Sequence, residues 1–264
     1  MTALRVGGVD LEVCQRGRGP PLLFLHGPHP LSPRAPVLNL LGERATVIAP
    51  SAPGFGGSPR PESVDSMYDL VHFYQDLLDE LPYERVTLVG CSFGGWLAAE
   101  LAVSCSHRFE KLVLADAVGI KISGREQRDI AHVFNTHPAE IERRAWVQPP
   151  DQPDGRFGFG WQQHLATIPE QDLVRLARSW DALCLYGWQP YLYNPSLARW
   201  LHRIRVPTQV VWGEADGIVS PAYGRAYAGF IPGARFECIP EAGHHPELEQ
   251  PEAFAARVLS FLLA

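Results

Sequence analysis

Short apolar runs alternate with amphipathic stretches through the first 120 residues of this chain. Leu4 to Val13 alternates loosely around Gly7-Gly8, which predicts a hairpin or a bent strand. Pro21–Leu25, Ala45–Ala49, Val86–Val89 and Lys111–Ala115 are nearly continuous apolar runs, as expected of strands buried on both faces. Between them, Ser66–Leu81 sets Leu70, Phe73, Tyr74, Leu77, Leu78 and Leu81 mostly at helical spacing, and Gly95–Val103 reads as a second helix. The Pro/Gly cluster from Pro50 to Ser58 predicts a loop. Strand rhythm resumes late, at Thr208–Trp212 and Ala234–Ile239, with helices over Pro221–Phe230 and Pro251–Leu263. The predicted fold class is α/β, a mostly parallel, doubly wound sheet covered by helices on both faces.

The rhythm breaks after Gly119. Lys121 to Trp200 holds no convincing buried strand, and helical patterns cover Gly124–Phe134, Pro138–Trp146, Glu170–Leu185 and Pro195–Leu201. Gln148–Gly160, rich in Pro, Gly and Asp, reads as a mobile loop. The division that follows is a core of residues 1–120 and 201–264 with residues 121–200 inserted as a helical cap. Five of the chain's seven tryptophans fall in the insertion. Trp146, Phe157, Phe159, Trp161, Trp180, Tyr186 and Trp188 are therefore candidates to line an apolar pocket. The plainer alternative makes them the cap's own core.

Composition narrows the picture only by exclusion. A net charge of −6 gives no electrostatic reason to expect nucleic acid. Five cysteines, an odd number without metal-ligand spacing, argue against a disulfide framework or a zinc site. No apolar run has the length of a membrane span, and Met1–Val6 lacks a signal-peptide core. The expectation is a cytoplasmic protein, a monomer or homodimer, acting on a small molecule without metal or cofactor.

Chemistry concentrates at Gly90-Cys91-Ser92-Phe93-Gly94, a G-x-S-x-G string between a strand and a helix. That context is a nucleophile elbow, a tight turn that lifts a serine hydroxyl clear of the sheet beside a helix N-terminus. Serine is a poor nucleophile until a base takes its proton, and histidine has the pKa for that task. A carboxylate then fixes the imidazole tautomer. Asp216, in Trp212-Gly213-Glu214-Ala215-Asp216, and His244, in Ala242-Gly243-His244, both stand just past predicted strands. C-terminal strand ends are where open parallel sheets place their sites.

With Leu25-His26-Gly27, Gly54-Phe55-Gly56-Gly57-Ser58 and Glu249-Gln250-Pro251 added, the chain resembles, over essentially its whole length, the α/β-hydrolase fold superfamily in its small, cap-bearing branch. The resemblance implies Ser92 as nucleophile, Asp216 as acid and His244 as base. It implies an oxyanion hole built from the Phe93 N–H and a second donor in the loop after His26-Gly27. There the chain departs from the pattern, because Pro28 has no N–H. The donor then shifts to the His29 N–H or to a side chain, or the hole is weakened. Ser51 is a second departure, at a position that is often aspartate. Asp116, at the end of Leu114-Ala115-Asp116, is a rival for the acid, whereas Glu214 reads as a solvated charge. His245 reads as a pocket or turn residue, His26 as a structural one, and Cys91 as a pocket residue or a small buried side chain. The activity implied is cleavage of a small or medium apolar carboxylic ester through an acyl-enzyme. Thioester, lactone and C–C bond hydrolysis use the same machinery. The fold also serves ligand receptors and non-hydrolytic cyclases.

Overall fold

The computed structural model describes residues 2–124, 126–148 and 159–264. Eight strands form one sheet in the order β1-β2-β4-β3-β5-β6-β7-β8. β1 (Thr2–Val6) and β2 (Val9–Arg16) make an antiparallel hairpin whose turn is Gly7-Gly8, both with positive φ. β2 pairs antiparallel with β4 (Thr46–Pro50), and every later pairing is parallel: β3 (Pro21–Leu25), β5 (Val86–Cys91), β6 (Phe109–Ala115), β7 (Thr208–Gly213) and β8 (Arg235–Ile239).

The central strands are apolar throughout because both faces are covered. Leu23, Leu25, Leu88, Leu112, Leu114, Val210 and Trp212 enter one core, with α2 (Met67–Glu80), α3 (Phe93–Ser104) and α7 (Pro221–Gly229). The alternate positions Leu22, Phe24, Val89, Cys91, Val113 and Val211 enter the other, with α1 (Pro36–Gly42) and α9 (Pro251–Leu263). Ser66 caps α2, its hydroxyl accepting the Asp69 N–H.

The connection from β6 to β7 carries α4 (Pro138–Ala145), α5 (Glu170–Gly187) and α6 (Leu197–Trp200). Among its described residues there is no strand beyond two isolated bridges, Gly119 with Tyr193 and Ile130 with Val219. The helix predicted over Gly124–Phe134 does not form in the described residues there; they make turns and the Ile130 bridge, and the apolar positions pack individually. Most of the loop predicted over Gln148–Gly160, with Phe157, lies outside the described residues. Among the described residues the remaining α-helix is the four-residue α8 (Pro246–Glu249). No described helix is long and apolar enough to cross a membrane.

Candidate active site

Four chain segments deliver polar side chains to the C-terminal edge of the sheet. Ser92 follows β5, Asp116 follows β6, Asp216 follows β7, and His244 follows β8. Parallel register sets them side by side: Cys91 pairs with Ala115, Ala115 with Val211, and Gly213 with Ile239.

Ser92 occupies the turn between β5 and α3 with φ +51° and ψ −114°, a strained backbone for a residue with a side chain. The turn closes only because its neighbours lack a Cβ. One at Gly94 would stand 2.3 Å from the Leu25 carbonyl oxygen, and one at Gly90 2.3 Å from that of Gly94. The Ser92 N–H donates to Ala115 across the sheet, which anchors the turn to β6.

The Ser92 hydroxyl stands 2.8 Å from His244 Nε2, and His244 Nδ1 stands 2.8 Å from Asp216 Oδ2. All three are buried, at 2%, 1% and 5% exposure respectively. The other Asp216 oxygen accepts the N–H groups of Ile218 (2.8 Å) and Val219 (3.0 Å). With its carboxylate facing Nδ1, the imidazole carries its proton there, leaving the Nε2 lone pair to accept the serine hydroxyl. The array can therefore move a proton from Ser92 to His244 while Asp216 stabilises the imidazolium.

Asp116 lies beside this array. Its carboxyl is fully buried, and one ligand atom each from Asp116, Asp216 and His244 fall within 4.8 Å of one another. Its Oδ1 accepts the Gly213 N–H at 2.8 Å. Burial, and then the neighbouring Asp216 charge, push this carboxyl well above the usual carboxylate range. Both His244 ring nitrogens already have partners, Nδ1 in Asp216 and Nε2 in Ser92, so the group reads as a hydrogen-bonded array.

The loop after β3 supplies the opposite wall. His26 pairs through Nδ1 with the Gly27 carbonyl (2.9 Å), and its Nε2 accepts the Ala52 N–H (3.0 Å). This fixes a neutral tautomer and ties two loops together; burial lowers its pKa to about 4. Pro28 is buried, and Phe93 is the first residue of α3, whose N–H has no acceptor within the helix. His29 is buried with both ring nitrogens lacking a partner. Burial first, then His26 and His245, push its pKa down to about 3. His29 also borders a cavity of about 830 Å³ shared by Leu31, Gly56, Arg175, Leu176 and Ser179; Ser92 is not among its lining residues.

The aromatic candidates divide. The Phe159 ring lies 5.4 Å from His244, and its N–H donates to His245 Nε2 (3.2 Å). Trp146 packs 4.5 Å from the His245 ring and donates from Nε1 to the Phe159 carbonyl. Trp161 meets His29 edge-on at 6.1 Å, and Trp180 reaches Phe159 at 6.3 Å. Tyr186 instead stacks on Phe55 and Phe93, its hydroxyl donating to the Pro53 carbonyl. Trp188, at the end of α5, is not brought to this cluster; it is 53% exposed and packs on His132 and Phe134. Cys91 sits in the core on the α1 and α9 face, its thiol pushed well up by burial. Ser51 is buried and bonds to Glu12, and Glu214 is exposed.

One contributor has a role that its string, Glu249-Gln250-Pro251, does not foretell. Glu249 accepts the Gly243 N–H (2.7 Å) through one oxygen and the Val147 and Gln148 N–H groups (2.8 and 3.1 Å) through the other. With the Ala145 carbonyl accepting the His244 N–H (2.7 Å) and the Arg144 carbonyl that of Gly217 (3.0 Å), it fastens α4 to both the acid and the base loops.

Comparison with known proteins agrees with this architecture. Over 97% of its length the chain is 27% identical to 2-hydroxymuconate semialdehyde hydrolase from a Pseudomonas species, covering 91% of that protein. It is 25% identical to 2-hydroxy-6-oxo-2,4-heptadienoate hydrolase of Pseudomonas putida, over 98% of this chain and 94% of that one. The structure of a meta-cleavage product hydrolase from Pseudomonas fluorescens superposes with a TM-score of 0.79 at 22% identity, over 99% of this chain and 97% of that one, a likeness of fold. The sequence pattern of the Alpha/beta hydrolase family matches residues 22–257, and the chain belongs to that family.

Proposed function

We propose that this chain is a serine hydrolase that cleaves a small or medium apolar carboxylic ester through an acyl-enzyme. The observation that carries the reading is the continuous line from Ser92 through His244 to Asp216, two contacts of 2.8 Å with the tautomer set for base catalysis. His244 takes the hydroxyl proton as Ser92 attacks the carbonyl, and returns it to the departing alcohol. A water deprotonated by His244 then releases the acid. The Phe93 N–H is one oxyanion donor. The neutral His29 imidazole supplies the second, in place of the N–H that Pro28 lacks; its unpartnered ring nitrogens support this role. The connection from β6 to β7 acts as the cap, with Phe159, Trp161 and Trp146 forming the apolar wall. The cavity beside His29 takes the part of the substrate remote from the carbonyl.

A second reading is hydrolysis of a C–C bond in a dienoate; the two Pseudomonas relatives are named as hydrolases of a 2-hydroxy-6-oxo-2,4-heptadienoate and of 2-hydroxymuconate semialdehyde. It uses the same Ser92 and His244, so labelling alone does not separate the two. A fluorophosphonate probe labels Ser92 in the wild type and fails on Ser92→Ala; an unlabelled, folded wild type sinks both readings. Turnover of p-nitrophenyl esters of graded chain length, run beside a ring-cleavage dienoate, then decides between them. Efficient dienoate cleavage with negligible ester turnover rejects the ester assignment.

A further inference from the structure

Two carboxyls share the space behind His244, and the mechanism above uses one. They are not equivalently held. Asp216 receives two backbone N–H groups on one oxygen and the His244 Nδ1–H on the other, three donors in all. Asp116 receives one, the Gly213 N–H on Oδ1, while Oδ2 has no donor and no water-exposed surface. An ionised Asp116 would leave a bare anionic oxygen beside a second carboxylate, in a site closed to solvent. A protonated Asp116 turns the same oxygen into a donor, and a carboxylate oxygen of Asp116 and one of Asp216 lie within 4.8 Å of each other. Among the described residues, the charged groups that act on Asp116 are carboxylates, with no cation among them. The groups facing Asp116 are Asp216 from the loop after β7, His244 from the loop after β8, Glu247 from α8 and the Cys91 thiol of β5. The Asp116 backbone is fixed too, with φ +44° and its N–H bonded to the Val211 carbonyl. Aspartate and asparagine are the side chains that best tolerate that conformation.

We propose that Asp116 is a positioning residue of this site: it stands as a neutral carboxylic acid, accepts the Gly213 N–H through Oδ1, and donates from Oδ2 to the Asp216 carboxylate. The two acids then carry one negative charge and one proton between them. The donated bond makes Asp216 a weaker base, so the His244 Nδ1 proton stays on the imidazole during catalysis. It also holds the Asp216 rotamer against the end of β6. The kinetic part rests on the Ser92, His244 and Asp216 reading; the protonation state of Asp116 does not.

Infrared spectroscopy reads the proton directly. At pH 7 the spectrum of the wild type minus that of Asp116→Asn is expected to contain a protonated-carboxyl C=O stretch that shifts on carboxyl-carbon labelling of aspartate. A difference spectrum with only carboxylate bands overturns the proposal. Kinetics supply a second readout, because the asparagine amide can both accept from Gly213 and donate to Asp216. Asp116→Asn is expected to keep kcat within about tenfold and leave the acid limb of the kcat/KM profile in place. A limb moved down by a full pH unit would mean that a negative charge was removed, and it overturns the proposal. Asp116→Leu loses the donor, so its acid limb is expected to move to higher pH as the Asp216 charge strengthens the base. An unmoved limb in folded Asp116→Leu counts against the role. An enzyme inert to every ester and dienoate, yet showing the carboxyl band, would reject the catalytic reading and leave the assignment of the proton standing.

Discussion

Replacing Asp216 by asparagine exchanges one oxygen for an NH₂ group and reverses what His244 meets. Oδ1 keeps its two backbone donors, Ile218 and Val219, so the amide oxygen stays where it is. The NH₂ group is then forced onto the Oδ2 position, 2.8 Å from His244 Nδ1. Two donors cannot face each other, so the imidazole proton moves to Nε2 and Nδ1 accepts from the amide. Nε2–H now points at Ser92, and the base is lost while the geometry is kept. The same exchange in a Ser-His-Asp protease lowers kcat about 10⁴-fold, equivalent to about 5 kcal/mol of transition-state stabilisation. A fall of that order is expected here in the acylation rate on a p-nitrophenyl ester, measured by stopped flow, with an unchanged near-ultraviolet circular dichroism spectrum. A loss below tenfold in a folded protein would refute the assignment of Asp216, and a larger loss in Asp116→Asn would move the acid to β6.

His29→Leu removes the buried imidazole at similar volume and is expected to lower kcat about 10²- to 10³-fold with little change in KM; a loss under threefold assigns the second oxyanion donor to the backbone. Acid sensitivity follows from the same loop. His26 and His29 titrate near 4 and 3 in the fold against 6.5 in the unfolded chain, so only the unfolded chain takes up their protons as pH falls below about 6.5. Their contribution is fully present above 6.5 and is lost down to about pH 4 for His26 and about pH 3 for His29, at up to about 1.4 kcal/mol per pH unit each. The urea midpoint of His29→Leu should therefore decline less steeply than that of the wild type between pH 7 and pH 5, and equal slopes would contradict this. Gly213→Ala would place a Cβ 1.8 Å from the Gly243 carbonyl oxygen, so the base loop must move. A loss of about 1–3 kcal/mol in urea unfolding is expected, together with reduced esterase activity.

The elements legible in the sequence are those whose signal is local. The central strands announce themselves because burial on both faces leaves no polar position in Leu22–Leu25 or Leu112–Ala115. Ser92, Asp216 and His244 are legible because each sits in a short string with a backbone reason for its glycines. What escapes is set by distant partners. The helix predicted over Gly124–Phe134 has the spacing, but Ile130 is captured by Val219 and the Ala131 N–H by the Ile218 carbonyl, both in the loop that carries Asp216. α1 has only seven residues, too few for a clear period, and its Pro36 start falls in a proline-rich stretch. Trp188 has the composition of a pocket residue and the position of a surface one, a difference that depends on where α5 ends. The Glu249 bridge joins residues 6 and about 100 positions away, and no spacing rule connects those.

The long β6–β7 connection is anchored on both sides of Ser92, and the anchors differ in kind. On the base side α4 is bonded through the Arg144 and Ala145 carbonyls and through Glu249 to the loops of Asp216 and His244 themselves. On the other side α5 is bonded to the glycine loop after β4, through Ser179 to the Gly56 N–H and through Tyr186 to the Pro53 carbonyl. Movement of α5 changes the wall near His29; its contact beside Ser92 is the Tyr186 ring on Phe93, and among the described residues it makes no hydrogen bond to the loops of Asp216 and His244. Movement of α4 carries the His244 backbone with it. Rates depend steeply on sub-ångström placement of a base. Substitutions at the α5 anchor, such as Ser179→Ala, are therefore expected to act mainly on KM, and those at the α4 anchor, such as Glu249→Gln, mainly on kcat. The opposite pattern in steady-state kinetics would mean that the base loop holds its geometry without α4.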